Sequence, residues 1–265
     1  MSPLSSVKGR WVLILGASSG FGEATAIKLS ELGMNIAGVH LDRKHTLGHV
    51  KEIIQRIQSN GVKAAFFNVN AADAQKRTEV LDQLAKQAAR GFHCVLHSLA
   101  FGTLKPFISS NTKESISAEQ MTMTLDVMAH SLVYWVQDLY SRKLLARGAR
   151  IFAMTSSGGS RVWPTYGAVS AAKAALESHC RQLALELAKE GVSVNAIRAG
   201  VTDTPALRMI PGHEKMIEMA LRKSPSGRIT TPKDVADALA LLVHDEATWV
   251  TGNVIGVDGG EDIVG

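Results

Sequence analysis

Short apolar segments recur along this chain, and most are followed by a stretch with helical periodicity. Trp11–Leu15, Asn35–Val39, Ala64–Val69, His93–Leu96, Arg150–Met154, Val192–Ile197 and Asn253–Val257 read as strands. Between them, Val50, Ile53, Ile54 and Ile57 share a helical face, as do Val80, Leu81, Leu84 and Ala88. Leu176, Cys180, Leu183 and Leu187 mark a later helix, and Val235, Ala238, Leu239 and Leu242 another. Such alternation predicts an α/β fold: a doubly wound parallel sheet of about seven strands with helices on both faces. Ligands are then expected at the carboxyl ends of the strands. The chain of 265 residues is long enough for one large core, so residues 1–265 are read as a single domain. Residues 204–231 break the alternation with Pro205, Pro211, Gly212, Pro225 and Gly227 around a Met-rich stretch. An insertion of that length after a strand is expected to act as a substrate loop or lid.

Composition narrows the function. Hydrophobic residues make up 46% and charged residues 20%, an ordinary soluble balance. No apolar run reaches membrane-spanning length, and Met1–Lys8 lacks the apolar core of a signal peptide. A cytoplasmic protein with no membrane partner is expected. Cys94 and Cys180 fall in apolar periodic segments and read as reduced core thiols. No cysteine–histidine cluster suggests a metal. The net charge of +5 is scattered, which argues against nucleic acid and suits an anionic small molecule or an acidic protein partner.

After the first strand comes Gly16-Ala17-Ser18-Ser19-Gly20-Phe21-Gly22, and a helical pattern follows. Glycines there let the backbone turn tightly and approach a pyrophosphate, which the helix amino terminus then meets with free N–H groups. This spacing resembles the short-chain dehydrogenase/reductase superfamily, a Rossmann-type family, and the resemblance covers nearly the whole chain. Asn68-Val69 resembles that superfamily's adenine-holding Asp-Val pair. Val194–Gly200 is similar to its strand-to-loop motif before the nicotinamide, and Thr251–Gly260 to its carboxyl-terminal signature.

Within the superfamily, Tyr166 and Lys173 have six residues between them where the common version has three. Seven positions on a helix is close to two turns, so both side chains are expected on one helical face. Val169 stands where the ordinary proton-donating tyrosine would be, and Met128 where a relay asparagine would be. His97-Ser98-Leu99-Ala100-Phe101-Gly102 is similar to the corresponding loop of enoyl-acyl-carrier-protein reductases. The imidazole of His97 is read as a core group satisfied by backbone. A second tyrosine, common ten residues before the first in those enzymes, is replaced by Ser156. Serine with Tyr-x6-Lys resembles the NADPH-linked type III enoyl reductases.

The resemblance implies catalytic roles for Tyr166, Lys173 and Ser156. Tyr166 would donate to the thioester oxygen as charge develops there. Lys173 would hold the nicotinamide ribose, and its charge would lower the Tyr166 pKa. Ser156 would add a hydrogen bond or shape the pocket. Cofactor contacts are expected from Gly16, Ser18, Ser19, Gly20, Phe21 and Gly22, from Asn68 and Val69, from the backbone of Leu99 and Ala100, and from Lys173, Thr202 and Thr204. Gly102, Leu207 and Ile210 are expected at the substrate. His40 falls at the position where NAD-type relatives carry an acid, and Arg43 and Lys44 follow it. NADPH is therefore the expected cofactor, with NADH as an alternative, because Asp42 is also there to bind ribose.

The implied reaction is reduction of a trans-2-enoyl thioester, carried on acyl-carrier protein or coenzyme A, in a fatty-acid-type pathway. Lys105, Arg161, Arg208, Lys215, Arg222 and Lys223 would steer an acidic carrier. A homotetramer is expected by family analogy. Three other readings stay open: a carbonyl, 3-ketoacyl or hydroxysteroid reductase, a dienoyl-thioester reductase, and a non-catalytic dinucleotide-binding regulator.

Overall fold

The computed structural model describes residues 5–264, so part of the Met1–Lys8 reading lies outside the described residues. The strands are β1 (Trp11–Leu15), β2 (Asn35–His40), β3 (Ala64–Asn68), β4 (Phe92–His97), β5 (Leu145–Ser156), β6 (Ser193–Ala199) and β7 (Val254–Val257). They form one parallel sheet in the order β3-β2-β1-β4-β5-β6-β7. The order reverses between β1 and β4, which opens a crevice at the carboxyl ends of those strands.

Successive residues of β1 point into opposite cores. Leu13 and Leu15 join Val80 and Leu81, Trp135 and Leu176 on one face. Val12 and Ile14 join Ala26, Ile53 and Val235 on the other. A strand buried on both faces reads as a continuous apolar run, which is why WVLIL was legible. The helices that supply these faces are α1 (Gly20–Glu31), α2 (Leu47–Ser59) and α3 (Ala74–Ala85), then α4 (Ala118–Leu125), α5 (Ser131–Ser141) and α6 (Gly167–Glu186). Two helices, α7 (Pro205–Arg208) and α8 (His213–Lys223), fold from the segment that breaks the alternation, and α9 (Pro232–Leu242) completes the layer over α1.

β1 keeps its expected bounds and the other strand boundaries differ by at most two residues, except the start of β5, which begins at Leu145 because Leu145 pairs with Phe92 before the register shifts. The region 118–141 has no counterpart among the helices expected from sequence. Ser117 and Gln120 form a reciprocal capping box that starts α4. A π-helical turn, Asp126–His130, then links α4 to α5. That wider turn shifts the phase of the apolar positions, so a single helical period does not run through it.

Candidate active site

The crevice is a cavity of about 700 Å³ at the carboxyl ends of β1, β4, β5 and β6. Among the residues read from sequence, Ser19, Gly20, Phe21, Leu99, Ala100, Gly102, Ser156, Tyr166, Lys173, Thr202, Thr204, Leu207 and Ile210 all line it. Gly16, Ser18, Gly22, His40, Arg43, Asn68 and Val69 do not. His40, Arg43, Asn68 and Val69 lie at and just beyond the ends of β2 and β3.

The loop is shaped for close backbone contact. Gly16 has φ 92°, and a Cβ there would stand 2.4 Å from the carbonyl oxygen of Ser98. A Cβ on Gly22 would stand 1.9 Å from the carbonyl oxygen of Gly16. Any side chain at either place would force the loop open. Ser19 occupies the N-cap of α1 without a side-chain cap bond, so the helix start presents its N–H groups to the cleft. A pyrophosphate fits this cradle.

The ends of β2 and β3 are organised around Asp42. Its N–H donates to Asn68 Oδ1 at 2.8 Å, and Asn68 Nδ2 donates to the Asp42 carbonyl at 3.0 Å. Asn68 is therefore committed to the Asp42 backbone and acts on this end through it. His40 is buried at 5% exposure, with Nδ1 2.9 Å from Asp42 Oδ2. It lies beneath the carboxylate and does not itself face the cleft, because the last residue of β2 is covered by the loop that follows. Burial works against the Asp42 carboxylate, but hydrogen bonding from Ser18, Thr46 and His40 outweighs it and holds the pKa below its ordinary value. Arg43 and Lys44 are exposed beside it. Val69 donates its N–H to the His40 carbonyl at 2.8 Å and pins β3 to β2 there.

The chemical centre lies between β5 and α6. Thr165 has φ 64°, a strained value for a β-branched residue, and its Oγ1 is buried without a hydrogen-bond partner. This kink reverses the chain into Tyr166, which is the N-cap residue of α6 rather than a residue within it. Tyr166 hangs from the N-cap, its carbonyl accepts from Ser170 N, and its side chain lines the same cleft as Lys173. Gly158 makes room for the ring, since a Cβ there would stand 2.5 Å from Tyr166 Cε1 and 3.2 Å from Ser156 Oγ.

Lys173 is buried, and its Nζ donates to the Met154 carbonyl at 2.7 Å. Burial lowers its pKa to about 8 against the favourable charge of Glu177. The Tyr166 phenol shifts the opposite way from the sequence expectation. Burial raises its pKa, and nearby Ser156 offsets only part of that. The ammonium is anchored at Met154, so burial decides the sign. Ser156 Oγ is close enough to Tyr166 to have that influence, yet it is buried without a hydrogen bond of ordinary geometry. Its hydrogen-bonding capacity is free for a ligand in the cleft.

The remaining walls are apolar. A Cβ on Gly102 would stand 2.8 Å from Thr124 Cγ2 and 2.9 Å from both Met128 Sδ and Val169 Cγ2. Met128 and Val169 thus both pack against Gly102 and line the cleft there. Leu207 and Ile210, each 8% exposed, descend from the segment carrying α7. Thr202 Oγ1 donates to the Gly200 carbonyl, and Thr204 Oγ1 caps α7 by accepting from Leu207 N. Both threonines keep unused capacity toward the cleft.

His97 is fully buried, and burial lowers its pKa to about 3. Its side-chain partner is the Ser131 hydroxyl at 2.8 Å, which links it to the backbone carbonyl of Val127. Ser131 donates onward to the Val127 carbonyl, so His97 Nε2 carries the proton in that bond. Cys94 and Cys180 are buried free thiols, each pushed up by burial to about 12. Three of the cations expected to steer a carrier are paired within the chain: Arg161 with Asp262, Arg208 with Asp203 and Arg222 with Glu218. Sequence reasoning missed Glu261, which lines the cleft and accepts from Val201 N at 2.9 Å. Its only sequence signal was a carboxylate just past the Gly259-Gly260 pair. Among the described residues, no helix is long and apolar enough to cross a membrane.

Comparison with known proteins agrees with this geometry. A family described as enoyl-(acyl carrier protein) reductase matches residues 16–261. The 1-cyclohexenylcarbonyl-CoA reductase of Streptomyces collinus is 28% identical over 95% of this chain and 86% of that protein. Versicolorin reductase 1 of Aspergillus parasiticus is 26% identical over 98% of this chain and 99% of that protein. Among solved structures, the enoyl-[acyl-carrier-protein] reductase (NADH) of Aquifex aeolicus VF5 superposes with a TM-score of 0.85 at 26% identity, covering 98% of this chain and 99% of that one.

Proposed function

This chain belongs to the enoyl-(acyl carrier protein) reductase family of the short-chain dehydrogenases/reductases, an NAD(P)H-dependent reductase, and on that premise we propose that it reduces the carbon–carbon double bond of a trans-2-enoyl thioester to the saturated acyl thioester. One observation carries the reading. The cleft wall at Gly102 is lined by Met128 and Val169, and the phenol that faces the cleft is Tyr166, outside the first turn of α6.

A bound nicotinamide supplies the hydride. In enoyl reduction that hydride lands two bonds away from the carbonyl carbon, so the acid must reach an oxygen farther from the hydride acceptor than in ketone reduction. A tyrosine set back to the helix start suits that distance, and an apolar wall at Val169 leaves no competing acid. Tyr166 stays protonated at neutral pH, since burial holds its pKa above the ordinary phenol value. It would donate a hydrogen bond to the thioester oxygen as negative charge grows there, and the enolate would then take a proton from solvent at its α-carbon to give the saturated thioester. Ser156 adds its free hydroxyl on the same side. Lys173, anchored at Met154, orients the ribose hydroxyls. The loop at Gly16–Gly22 would hold the pyrophosphate and Leu99 and Ala100 the nicotinamide end, while Leu207 and Ile210, which line the cleft, would cover the acyl chain.

We read NADPH as the preferred reductant, with NADH accepted. Arg43 and Lys44 are free to meet a 2′-phosphate, while Asp42 favours the ribose hydroxyls of NADH. The same reading includes a cytoplasmic protein, a homotetramer, and a carrier that is either acyl-carrier protein or coenzyme A.

The test uses purified protein with trans-2-enoyl and 3-ketoacyl thioesters of matched chain length. Mass spectrometry should find the saturated acyl thioester from the first. If only 3-hydroxyacyl product forms, the carbonyl-reductase reading replaces this one.

A further inference from the structure

The turn after β7, Glu261–Ile263, adds nothing to the sheet, yet its residues reach two loops of the cleft wall. Gly259 and Gly260 have φ 63° and 88°, and Asp258 Oδ1 accepts from Gly260 N at 3.0 Å. Two left-handed glycines in succession turn the chain from the sheet edge back over the cleft. Glu261 then enters the wall, and its Oε2 accepts from Val201 N at 2.9 Å. Gly200 keeps the approach open, since a Cβ there would stand 2.8 Å from that oxygen.

Asp262 reaches a second loop, the one between Ser156 and Tyr166, as well as β6. Its Oδ1 lies 2.7 Å from Arg161 Nη2 and its Oδ2 2.8 Å from Arg198 Nη2. Its backbone carbonyl also accepts from Arg161 Nη2 at 3.2 Å. Arg161 stands in the loop between Ser156 and Tyr166 and lines the cavity. The Asp262 side chain is 21% exposed and Arg198 29%, so that pair is partly sheltered, whereas Arg161 is 46% exposed and its pair is a surface one that gains from the second contact to the Asp262 carbonyl. Burial raises the Glu261 pKa, the Val201 N–H opposes this, and Asp258 adds to it. The carboxyl is thus held in place against its own desolvation.

We propose that Glu261 and Asp262 are positioning residues that clamp two loops of the cleft wall. Glu261 fixes the loop Gly200–Thr204 on the cofactor side. Asp262, through Arg161, fixes the loop that sets Tyr166. Neither carboxylate touches a reacting atom. The inference rests on the cleft being the nicotinamide and acyl site, but its cofactor arm needs no acyl substrate.

The experiment uses the full chain and the variants Glu261→Ala, Glu261→Gln and Asp262→Asn, with thermal midpoints to establish folding. Dissociation constants for NADPH and NADH are read from nicotinamide fluorescence. Losing a hydrogen bond to a charged acceptor should weaken cofactor binding about tenfold in Glu261→Ala. Glu261→Gln should restore most of it, because an amide oxygen still accepts from Val201 N. Asp262→Asn should lower kcat by about tenfold and leave the cofactor dissociation constant unchanged. Turnover is read with whichever thioester the unaltered protein reduces, so failure of the enoyl reading does not mask the result. Unaltered cofactor affinity in Glu261→Ala, or equal loss in the Ala and Gln variants, overturns the Glu261 assignment. Unaltered kcat in Asp262→Asn overturns that of Asp262. If Glu261→Ala does not fold, Glu261→Gln with full cofactor affinity supports the clamp, and a loss there overturns it.

Discussion

Lys173 Nζ donates to the carbonyl oxygen of Met154 at 2.7 Å, so the buried ammonium is held by the strand that ends at Ser156 and not by Tyr166. The two groups then titrate apart. Burial lowers the lysine to about 8 and raises the tyrosine above its ordinary value. At neutral pH both carry their protons, which is the state a donor and a ribose-holding cation need.

The pH dependence follows from the lysine. Its folded pKa of about 8 lies below the reference of 10.5. Below both values each state binds the proton, and this group adds no slope. Between them the unfolded chain binds more protons, so its contribution to stability rises with pH. Catalysis runs the other way, because the cation is lost. The basic limb of kcat/KM should have an apparent pKa of about 8 and should vanish in Lys173→Met, measured between pH 6 and 10.

Removing only the phenolic oxygen tests the donor. Tyr166→Phe should lower kcat by about 10²–10³. Cofactor affinity should stay within about twofold, since the ring still fills the space that Gly158 provides. Steady-state kinetics beside fluorescence titration reads both. Unchanged kcat would remove Tyr166 from the mechanism.

Packing around Gly102 gives a stability prediction. A Cβ there meets Thr124 Cγ2, Met128 Sδ and Val169 Cγ2 within 2.8–2.9 Å. Met128 can swing aside, but Thr124 is held by its bond from Thr103 N. Gly102→Ala should therefore cost about 1–3 kcal/mol by overpacking. It should also raise KM for the acyl substrate, as Gly102 lines the cleft. A thermal midpoint equal to that of the unaltered protein would contradict this.

Cofactor choice should turn on neighbours at the end of β2. Arg43→Ala should raise KM for NADPH several-fold more than for NADH, roughly as expected from losing one exposed phosphate contact. Asp42→Asn should shift preference toward NADPH, because a negative charge beside the 2′-phosphate is removed. Kinetics with both reductants reads the ratio. Equal changes for both cofactors would place the phosphate elsewhere.

Much of this architecture was written locally. The run WVLIL, the glycines at 16, 20 and 22, and the Tyr166–Lys173 spacing with Val169 between each express a short-range constraint: WVLIL lands in the sheet, Gly20, Tyr166, Val169 and Lys173 line the crevice, and Gly16 and Gly22 shape the turn beside it. Strand period, turn geometry and side-chain chemistry act over a few residues, so one sequence suffices to read them. Other features needed the fold. His40 reads as a cofactor residue until β2 buries it beneath Asp42. The Tyr166 pKa moves up because burial is a property of the assembled cleft, while the lysine charge is fixed on a carbonyl nineteen residues away. Glu261 meets Val201 across sixty positions. Desolvation and long-range hydrogen bonds depend on which surfaces meet, and only the folded chain decides that.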